Sequence, residues 1–435
     1  MIQKVKGTMD ITDAIETYQR IEKTIQTVSR LFHYREIRTP HFELSELFHR
    51  SVGSDSDIVS KETYDFKDRG GRDNTLRPEG TAGVVRAYIE NKLYAQPAIP
   101  QKYYYYGSMF RYERPQKGRF REFRQFGVEV FGSHLPAIDA EVIAYAVTLL
   151  KALKLKDVKV HLNSLGDEDS KRAYKSVLKK HFEPHIDTLC HDCRRRYTDN
   201  PLRILDCKVD RNHSAFEHLP HAIDYLVDAD KTHFETLLNT LDSMNIAYVV
   251  DHQLVRGLDY YTHTVFEIKV SESLLGSQNT ICGGGRYNRL VRDLGGPDTP
   301  AVGFGFGIDR LVIALDAAEL TAKPSSIHAY FIIMGAKARV RAMQLMQQCR
   351  LMGLMCDADY GDRSMKAQFK QSVFHDARFV VIIGDNEVDQ DIVQIKDQQQ
   401  NKEETVPSSA LAHTLIDHLT QNQYSCEDCE KGDQS

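Results

Sequence analysis

The sequence lacks the features that mark membrane-spanning, secreted and disulfide-linked proteins. In its 435 residues, no apolar run approaches the roughly 20 residues that a membrane-spanning helix needs. The first ten residues, MIQKVKGTMD, contain no apolar core and no cleavage site, so we expect no signal peptide. Eight cysteines spread along the chain are too few for a disulfide scaffold, which favours a reducing compartment. We therefore expect a cytoplasmic protein that contacts no membrane.

The chain also has little excess charge of either sign. Its formal net charge is −5, and its share of charged residues, 27 %, is ordinary for a soluble globular protein. This balance argues against a bulk coat of nucleic acid, but a local basic surface is enough to bind RNA. Such a surface is present where six basic residues fall within a short stretch that only Glu113 and Glu122 oppose: Arg111, Arg114, Lys117, Arg119, Arg121 and Arg124.

The order of predicted elements divides the chain into a large and a small domain. Residues 1–324 mix helices and strands and include a charged, mainly helical insertion at about 165–245. A linker is predicted at 323–326, where the sequence reads KPSS. Strands and helices then alternate over 325–422, which predicts a separate α/β domain with a mostly parallel sheet. The acidic tail, 423–435, is expected to be disordered, and no internal repeat is present.

Residues 107–132, GSMFRYERPQKGRFREFRQFGVEVFG, combine two strand-like pieces with a basic loop. Side chains alternate between the faces of a strand, so Arg111 and Glu113 share a face. That face offers an arginine for phosphate, an aromatic ring for stacking and polar groups for orientation. A solvated basic hairpin is the alternative interpretation. The returning piece places four residues on one face: Phe123, Gln125, Gly127 and Glu129.

The segment AVGFGFGIDRL places three glycines on one face of a strand, at Gly303, Gly305 and Gly307. Glycine weakens a strand, so this pattern indicates close approach of a ligand or another backbone, with tight packing as the alternative. Arg310 follows in the first helical turn, where it can reach an anion or lie over a base. The dinucleotide pattern G-x-G-x-x-G fails because position 308 is Ile308.

Three shorter segments each favour a structural role when taken singly. LVRGLDYYTHTVFEI places Arg256 beside a glycine and ahead of two tyrosines. CGGGRYNRL supplies consecutive glycines at 283–285, where the backbone is open to close approach. TLRPEGTAG offers Glu79 and Thr81 in a turn, where a carboxylate can hold an ammonium.

Together these segments resemble class II aminoacyl-tRNA synthetases. RTP, which ends at Pro40, is similar to the first class motif, FRYERPQKGRFREFRQFG to the second and GFGFGIDRL to the third. LVRGLDYYTHTVFEI and CGGGRYNRL are similar to the two signatures of the histidine-specific subfamily of bacterial type, and KGTMD and LRPEGTA also fit. The resemblance reaches about residue 420. The third motif usually has Glu where this chain has Asp309, and the tail with Cys426 and Cys429 lies outside the pattern and is assigned no role.

The resemblance implies a fold and a reaction. The expected fold is an α+β catalytic domain built on an antiparallel sheet, with a helical insertion and a C-terminal α/β anticodon-binding domain. The first motif builds the dimer interface in that family, so a homodimer is expected. The implied enzyme is a histidine–tRNA ligase, which activates L-histidine with ATP and Mg²⁺ to histidyl-adenylate and pyrophosphate. It then transfers histidine to the 3′-terminal adenosine of tRNA(His).

The resemblance also implies roles at the phosphates and the adenine. Arg111 is expected to hold the α-phosphate, and Arg256 to bridge it to the substrate carboxylate. Arg310 is expected to reach the γ-phosphate and cover the adenine, and these three arginines are the catalytic candidates. Glu113 is expected to contact the adenine amino group, and Phe123 to stack on the ring. Arginine suits such sites because its guanidinium is planar and permanently charged.

A second set of residues is expected to bind histidine, together with Arg111 and Arg256. Glu79 and Thr81 should grip the substrate ammonium, with Gln125 nearby. An imidazole can donate at one nitrogen and accept at the other, so a carboxylate paired with a tyrosine hydroxyl satisfies both. The residues expected around the imidazole are Glu129 and Tyr261, with Tyr260 and Tyr287 lining the pocket.

Two features stay open at the level of sequence. In the C-terminal domain, Arg363, Lys366 and Lys370 are candidate tRNA contacts, with a solvated helix face as the alternative. CHDC at 190–193 and the nearby Cys207 look like part of a zinc site, but a structural site needs four ligands. Of the neighbouring histidines, His191 is poorly placed and His213 is a remaining candidate. Because only three thiols lie near one another and no fourth ligand is identified, we expect no bound metal.

The strongest competing hypothesis belongs to another functional class. The family has a catalytically inactive paralogue that binds histidine and regulates ATP phosphoribosyltransferase. That paralogue generally lacks the anticodon domain and has degraded ATP motifs. This chain keeps Arg111, Glu113 and Arg310, and a full domain follows residue 324. These features favour the ligase.

Overall fold

A computed structural model of the protein describes residues 1–52, 61–116, 118–276, 279–322 and 326–427. The chain divides into two compact units, Met1–Ala322 and Lys323–Ser435, and each is described by itself. Most of the predicted linker at 323–326 lies outside the described residues, so the boundary at residue 324 stays a prediction.

The strands, in chain order, are β1 (Arg35–Glu36), β2 (Phe42–Leu44), β3 (Tyr64–Lys67), β4 (Asp73–Leu76), β5 (Gln101–Phe110), β6 (Glu122–Phe131), β7 (Lys159–Ser164), β8 (Tyr248–Val250), β9 (Thr262–Lys269), β10 (Thr280–Arg286), β11 (Ala301–Gly307), β12 (Ala329–Met334), β13 (Cys356–Ala358), β14 (Phe379–Gly384), β15 (Ile392–Asp397) and β16 (Lys402–Pro407).

The α-helices are α1 (Ile15–Leu31), α2 (Ser45–Val52), α3 (Thr81–Glu90), α4 (Pro136–Ala152), α5 (Glu168–Phe182), α6 (His191–Asp199), α7 (Asp228–Ser243), α8 (Glu272–Leu275), α9 (Leu290–Asp293), α10 (Ile308–Ala317), α11 (Ala336–Leu351), α12 (Met365–Phe374), α13 (Asp385–Asp389) and α14 (Leu411–Glu427). Across the described part of the chain, no helix combines the length and the apolar character that a membrane crossing requires.

The first unit is built on an eight-stranded sheet with the order β1-β5-β6-β11-β10-β9-β7-β8. Neighbouring strands are antiparallel from β5 to β7, and only the two edge pairs, β1 with β5 and β7 with β8, are parallel. This arrangement confirms the expected α+β domain on an antiparallel sheet. A smaller sheet with the order β2-β4-β3 precedes helix α3.

The alternation of side chains along β6 separates the core from the open face of the sheet. Phe126, Val128 and Val130 are buried in the hydrophobic core that also contains the inward faces of α1, α4 and α10. On α4, the Tyr145 ring lies 5.9 Å from that of Phe126, measured between ring centroids. Because the period of a strand is two, the odd-numbered residues of β6 point to the opposite face.

Residues of the predicted insertion form their own small core. The range holds helices α5, α6 and α7, joined by short 3-10 turns. Tyr174, Leu178 and Phe182 recur at helical spacing on α5 and are buried against Leu202 and Ile204. The insertion therefore packs apolar side chains around itself.

The second unit has a five-stranded sheet with the order β13-β12-β14-β15-β16. Strands β13, β12 and β14 are parallel, but β15 and β16 are antiparallel, so the prediction of a mostly parallel sheet is wrong at this edge. Only the short helix α13 separates β14 from β15, and a parallel crossover needs a dozen residues or more. Helix α14 runs to Glu427, inside the tail predicted to be disordered, and residues 428–435 lie outside the described part.

Candidate functional site

The glycines of β11 make room for polar side chains from β6. In the strand register, Gly303 lies opposite Glu129 and Gly307 lies opposite Gln125. A methyl carbon at position 303 would lie 2.8 Å from Cδ of Glu129, and one at Gly305 would lie 2.6 Å from Nε2 of Gln125. The space over these glycines is therefore occupied by side chains of the neighbouring strand and, at Gly303, also by the backbone carbonyl oxygen of Val128.

Glu129 lies at the centre of a buried hydroxyl network. The Thr81 hydroxyl donates to one carboxylate oxygen at 2.7 Å, and the Tyr287 hydroxyl donates to the other. Burial raises the pKa of Glu129 well above its usual range, although both hydroxyl hydrogen bonds act in the opposite direction. The ring of Tyr260 lies 5.6 Å from that of Tyr287 and 4.7 Å from that of Tyr261. The structure thus brings together the four residues predicted around the imidazole and Thr81.

Glu79 makes contacts that the sequence did not predict. Its carboxylate accepts hydrogen bonds from the backbone amides of Thr81 and Ala82, both at 2.7 Å, at the start of α3. A carboxylate at this position complements the positive end of the helix dipole. Burial raises the pKa of Glu79, and the two amides oppose that shift. The side chain is therefore fixed beside Thr81, at the edge of the tyrosine pocket.

Gln125 is held by two groups that the sequence analysis missed as site residues. Its side-chain oxygen accepts a hydrogen bond from the Gly80 amide at 3.1 Å and from the Tyr105 hydroxyl at 3.4 Å. Arg77, in the segment TLRPEGTAG, is buried and donates to the carbonyl oxygens of Ser108 and Thr39. These contacts fix the turn that carries Glu79 against β5.

Three of the four residues predicted to bind ATP lie close together: Arg111, Glu113 and Phe123. The Nε of Arg111 donates to the Pro78 carbonyl at 2.8 Å, and its guanidinium carbon lies 5.3 Å from the centroid of the Phe123 ring. Glu113 lies 3.8 Å from Nη1 of Arg111 and 3.2 Å from Nη1 of Arg119. A cation, an aromatic ring and a carboxylate therefore meet at one end of the β5–β6 hairpin.

Arg256 forms a partly buried ion pair with Glu267, a residue that the sequence analysis missed. Glu267 lies opposite Gly283 in the sheet and also accepts a hydrogen bond from the Thr280 hydroxyl at 3.0 Å. Burial lowers the pKa of Arg256, but the charge and hydrogen bond of Glu267, together with Tyr261 and Cys282, raise that pKa overall. Among the residues that the structure describes, Nε of Arg256 has no hydrogen-bond partner. This buried donor suits an anionic ligand.

Arg310 leaves the first turn of α10 toward the same region. Its Nη1 donates to the Thr280 carbonyl at 2.9 Å, and its Nε donates to the Gly118 carbonyl at 3.2 Å. Burial and the nearby charge of Arg119 lower the pKa of Arg310, while the charges of Glu113 and Glu267 oppose that shift. Glu113 also lies beside Arg111, and Glu267 also pairs with Arg256. The same two carboxylates therefore act on all three arginines.

Asp309 fixes the turn from which Arg310 projects. One of its oxygens accepts from the Tyr18 hydroxyl at 2.7 Å, and the other accepts from the Arg124 amide at 2.7 Å. The carboxylate therefore joins α10 to α1 and β6. Asp309, which stands where the third motif usually has Glu, therefore forms hydrogen bonds within the fold through both of its carboxylate oxygens.

A basic cavity of about 250 Å³ lies beside Arg256 and Tyr261. Its wall comes largely from the insertion, whose cationic residues the sequence analysis did not single out. Apart from Arg195 and Arg196, these residues are separated in sequence, so the folding of the insertion brings the three segments together. The cationic residues are Lys171, Lys175, Arg195, Arg196 and Arg203.

The three cysteines considered for metal meet a fourth ligand that the sequence analysis missed. Cys190, Cys193 and Cys207 converge with Asp210, and the four candidate ligand atoms lie within 4.8 Å of one another. Asp210 takes the position for which His191 and His213 were the candidates in the sequence. The spacing C-x-x-D after Cys207 was the available signal.

In the second unit, the three candidate tRNA contacts lie near the start of α12. Lys366 and Lys370 are exposed and one helical turn apart. Arg363 is paired with Asp359, with 2.7 Å between Nε and the carboxylate oxygen. The described geometry therefore keeps two lysines at the surface.

Comparisons with known proteins cover both units. The family model described as histidyl-tRNA synthetase matches residues 11–311, and that of an anticodon-binding domain matches residues 328–418. A histidine–tRNA ligase of Oceanobacillus iheyensis is 46 % identical, over 95 % of this chain and 97 % of the relative. One from Geobacillus kaustophilus is 48 % identical, over 95 % and 98 %. The apo histidyl-tRNA synthetase structure from S. aureus matches with a TM-score of 0.81 and 37 % identity, covering 95 % of this chain and all 100 % of that one.

Proposed function

The chain belongs to the histidyl-tRNA synthetase family, and we infer that it is a histidine–tRNA ligase, which activates L-histidine with ATP and transfers it to tRNA(His). The observation that carries this inference is the partly buried Arg256, whose Nε has no hydrogen-bond partner among the described residues, on the same sheet face as Glu129 and the tyrosine pocket. The regulatory alternative finds no support, because relatives that match nearly the whole chain are histidine–tRNA ligases.

We propose that three arginines stabilise the first half-reaction. The histidine carboxylate attacks the α-phosphorus of ATP, a new oxygen–phosphorus bond forms, and the bond to the bridging oxygen breaks to release pyrophosphate. Negative charge approaches negative charge, so fixed cations lower the barrier. Arg111 would hold the α-phosphate, and Arg256 would bridge it to the carboxylate. Arg310 would reach the γ-phosphate and cover the adenine. Glu113 and Phe123 would bind the adenine amino group and ring.

Magnesium would arrive with ATP as part of the substrate. It commonly binds one or two carboxylates together with phosphate oxygens. Glu113 and Glu267 both act electrostatically on Arg310, so carboxylates are present near the expected phosphates. The ion would spread the charge of the β- and γ-phosphates.

The histidine pocket is proposed to select its substrate through hydrogen bonding. Glu129 and Tyr261 would pair with the two imidazole nitrogens, while Tyr260 and Tyr287 line the pocket. The Thr81 and Tyr287 hydroxyls hold the Glu129 carboxylate in one orientation. An apolar side chain of similar size would leave buried polar groups unpaired, so discrimination should be strong. Glu79 and Thr81 would hold the substrate ammonium near Gln125.

For the second half-reaction, the terminal ribose hydroxyl of the tRNA attacks the carbonyl carbon of the adenylate. The ester bond forms and AMP leaves. We assign no protein side chain as a general base for this step. The basic cavity beside Arg256 is the surface that we propose for the tRNA 3′ end, because its wall is cationic.

Further parts of the proposal concern assembly and anticodon binding. A homodimer through the region of Pro40 fits the exposure of nearby apolar side chains, since Phe42 and Leu44 are each 53 % exposed. Residues 325–422 are proposed to form the anticodon-binding domain, with Arg363, Lys366 and Lys370 on its tRNA surface. The working compartment is proposed to be the cytoplasm.

The test is histidine charging of a tRNA(His) transcript by the full chain, together with ATP–pyrophosphate exchange without tRNA. Arg256→Ala is expected to lose both activities. The matched control is Arg292→Ala, because Arg292 lies in the same unit but is half exposed and pairs with Asp298. Loss of exchange in the control, or its retention in Arg256→Ala, would contradict the assignment of Arg256.

A further inference from the structure

We propose that Cys190, Cys193, Cys207 and Asp210 form a structural zinc site in the insertion. In the described part of the chain, this is the one place where three or more potential metal-ligand atoms converge. Cys193, Cys207 and Asp210 are buried, and Cys190 is partly exposed, which leaves a route for the ion from solvent. The inference does not depend on the proposed enzymatic function.

Two of the distances between ligand atoms match the edges of a tetrahedron around one ion, and all four ligand atoms lie within 4.8 Å of one another. The sulfur atoms of Cys190 and Cys207 are 3.8 Å apart, and the sulfur of Cys207 is 3.6 Å from an oxygen of Asp210. With Zn–S near 2.3 Å and Zn–O near 2.0–2.2 Å, a tetrahedron has S–S edges of about 3.8 Å and S–O edges of about 3.5 Å. A disulfide would require the two sulfurs to approach to about 2.05 Å.

The four candidate ligands lie in two short turns of the backbone, and each turn contributes two of them. Cys190 and Cys193 belong to a C-x-x-C turn at the start of α6, and Cys207 and Asp210 belong to a C-x-x-D turn. The Asp210 amide donates to the Cys207 sulfur at 3.3 Å, and the Cys190 amide donates to Asp210 at 3.0 Å. Such bonds orient ligands and disperse the charge of metal-bound thiolates.

The donor set favours zinc over harder cations. Three thiolates with one carboxylate suit a borderline-soft tetrahedral ion, whereas Mg²⁺ and Ca²⁺ prefer oxygen alone. Four anionic ligands around Zn²⁺ leave a net charge of about −2, and residues 194–196, 208 and 211, which flank the ligands, are all basic. A closed four-ligand site is the structural type, without an open position for catalysis.

The ion would hold the cationic wall of the insertion in place. Helix α6 begins next to Cys190 and carries Arg195 and Arg196, which line the cavity beside Arg256. Arg203 lies on the segment that leads to Cys207, and its carbonyl accepts a hydrogen bond from Arg196 at 3.1 Å. One bound ion would therefore cross-link both segments of the wall.

The first test is the metal content of the full-length chain, produced with zinc in the medium and then dialysed against metal-free buffer. We expect about one zinc per chain, as a closed four-ligand site implies. Cys193→Ala should contain almost none. Cys349→Ala is the matched control, because Cys349 is a buried cysteine of the other unit. Zinc that is absent from the wild-type chain, or retained equally in Cys193→Ala, would overturn the proposal.

A second test uses only the wild-type chain, in case Cys193→Ala does not fold. After a chelator removes bound metal, the chain is titrated with Co²⁺ alone. We expect visible bands of tetrahedral cobalt and a near-ultraviolet thiolate band, saturating at about one ion per chain and lost when Zn²⁺ is added. A featureless titration, or an intact mass that reveals a disulfide between Cys190 and Cys207, would contradict the proposed site.

Discussion

Gly283→Ala should displace Arg256, the arginine proposed to bridge the α-phosphate and the substrate carboxylate, while leaving the backbone almost unchanged. A methyl carbon at position 283 would lie 2.6 Å from Nη1 of Arg256 and closer still to Cζ and Nη2. These atoms end a flexible side chain, so the guanidinium can move away without displacing the backbone. Replacing a glycine within a strand recovers roughly 0.5–1 kcal/mol of conformational entropy. The loss of the Arg256–Glu267 ion pair acts against this gain, so we expect the free energy of unfolding to fall, but by less than it does in Gly284→Ala.

The cost should appear in catalysis. Moving the guanidinium breaks its ion pair with Glu267 and withdraws a cation from the proposed position of the α-phosphate. Loss of one preorganised donor of this kind costs about 10²–10³-fold in rate, or roughly 2.7–4 kcal/mol. The assay is histidine-dependent ATP–pyrophosphate exchange, measured beside thermal unfolding.

Gly284→Ala is the matched contrast one residue further along β10. A methyl carbon there would lie 2.6 Å from Cβ of Phe304 and closer still to the Gly303 carbonyl oxygen. Backbone cannot move aside cheaply, so this variant should lose stability first. Wild-type exchange by a stably folded Gly283→Ala would refute the assigned position or role of Arg256. Equal destabilisation of the two variants would refute the packing argument.

Three further predictions concern stability and tRNA binding. Asp309→Ala leaves the Tyr18 hydroxyl and the Arg124 amide without their acceptors, so chemical denaturation should report a loss of about 1–3 kcal/mol for each; an unchanged midpoint would contradict this. Burial raises the pKa of Glu129, so the unfolded state loses this proton at a lower pH than the folded state does. The free energy of unfolding should therefore fall as the pH rises from the usual range of glutamate to the raised value. Glu129→Gln should lack that fall, and parallel pH profiles for the two proteins would rule the reasoning out. Lys366→Glu combined with Lys370→Glu should raise KM for tRNA while leaving pyrophosphate exchange unchanged. The salt dependence of that KM should weaken, because fewer cations contact the tRNA phosphates, and an unchanged KM would favour the solvated-face interpretation.

Sequence patterns predicted those parts of the fold that depend on local periodicity. The alternation on β6 correctly placed Phe123, Gln125 and Glu129 on one face, and the glycine pattern of β11 marked the strand that packs beside them. What occupies the space over those glycines depends on strand register, which no single segment specifies. The sequence analysis did not predict that β15 pairs antiparallel with β14. That pairing follows from the short connection between the two strands and not from the residue pattern within either strand.

Side-chain partners that are distant in sequence were the main omission. Glu267 stands opposite Gly283 only when β9 and β10 pair, and Asp210 joins the cysteines only when the insertion folds. Glu79 was recognised as a binding candidate, but its bonds to two amides follow from the position of α3 and not from its residue type. The cationic wall beside Arg256 likewise depends on the tertiary packing of the insertion.

The most direct test of the central claim is ATP–pyrophosphate exchange by the wild-type chain with each of the twenty amino acids in turn, without tRNA. We expect exchange with L-histidine alone, because the pocket built around Glu129 and the tyrosines requires a side chain that both donates and accepts hydrogen bonds. Absence of exchange with every amino acid, despite measurable histidine binding, would contradict the ligase assignment and favour the regulatory paralogue.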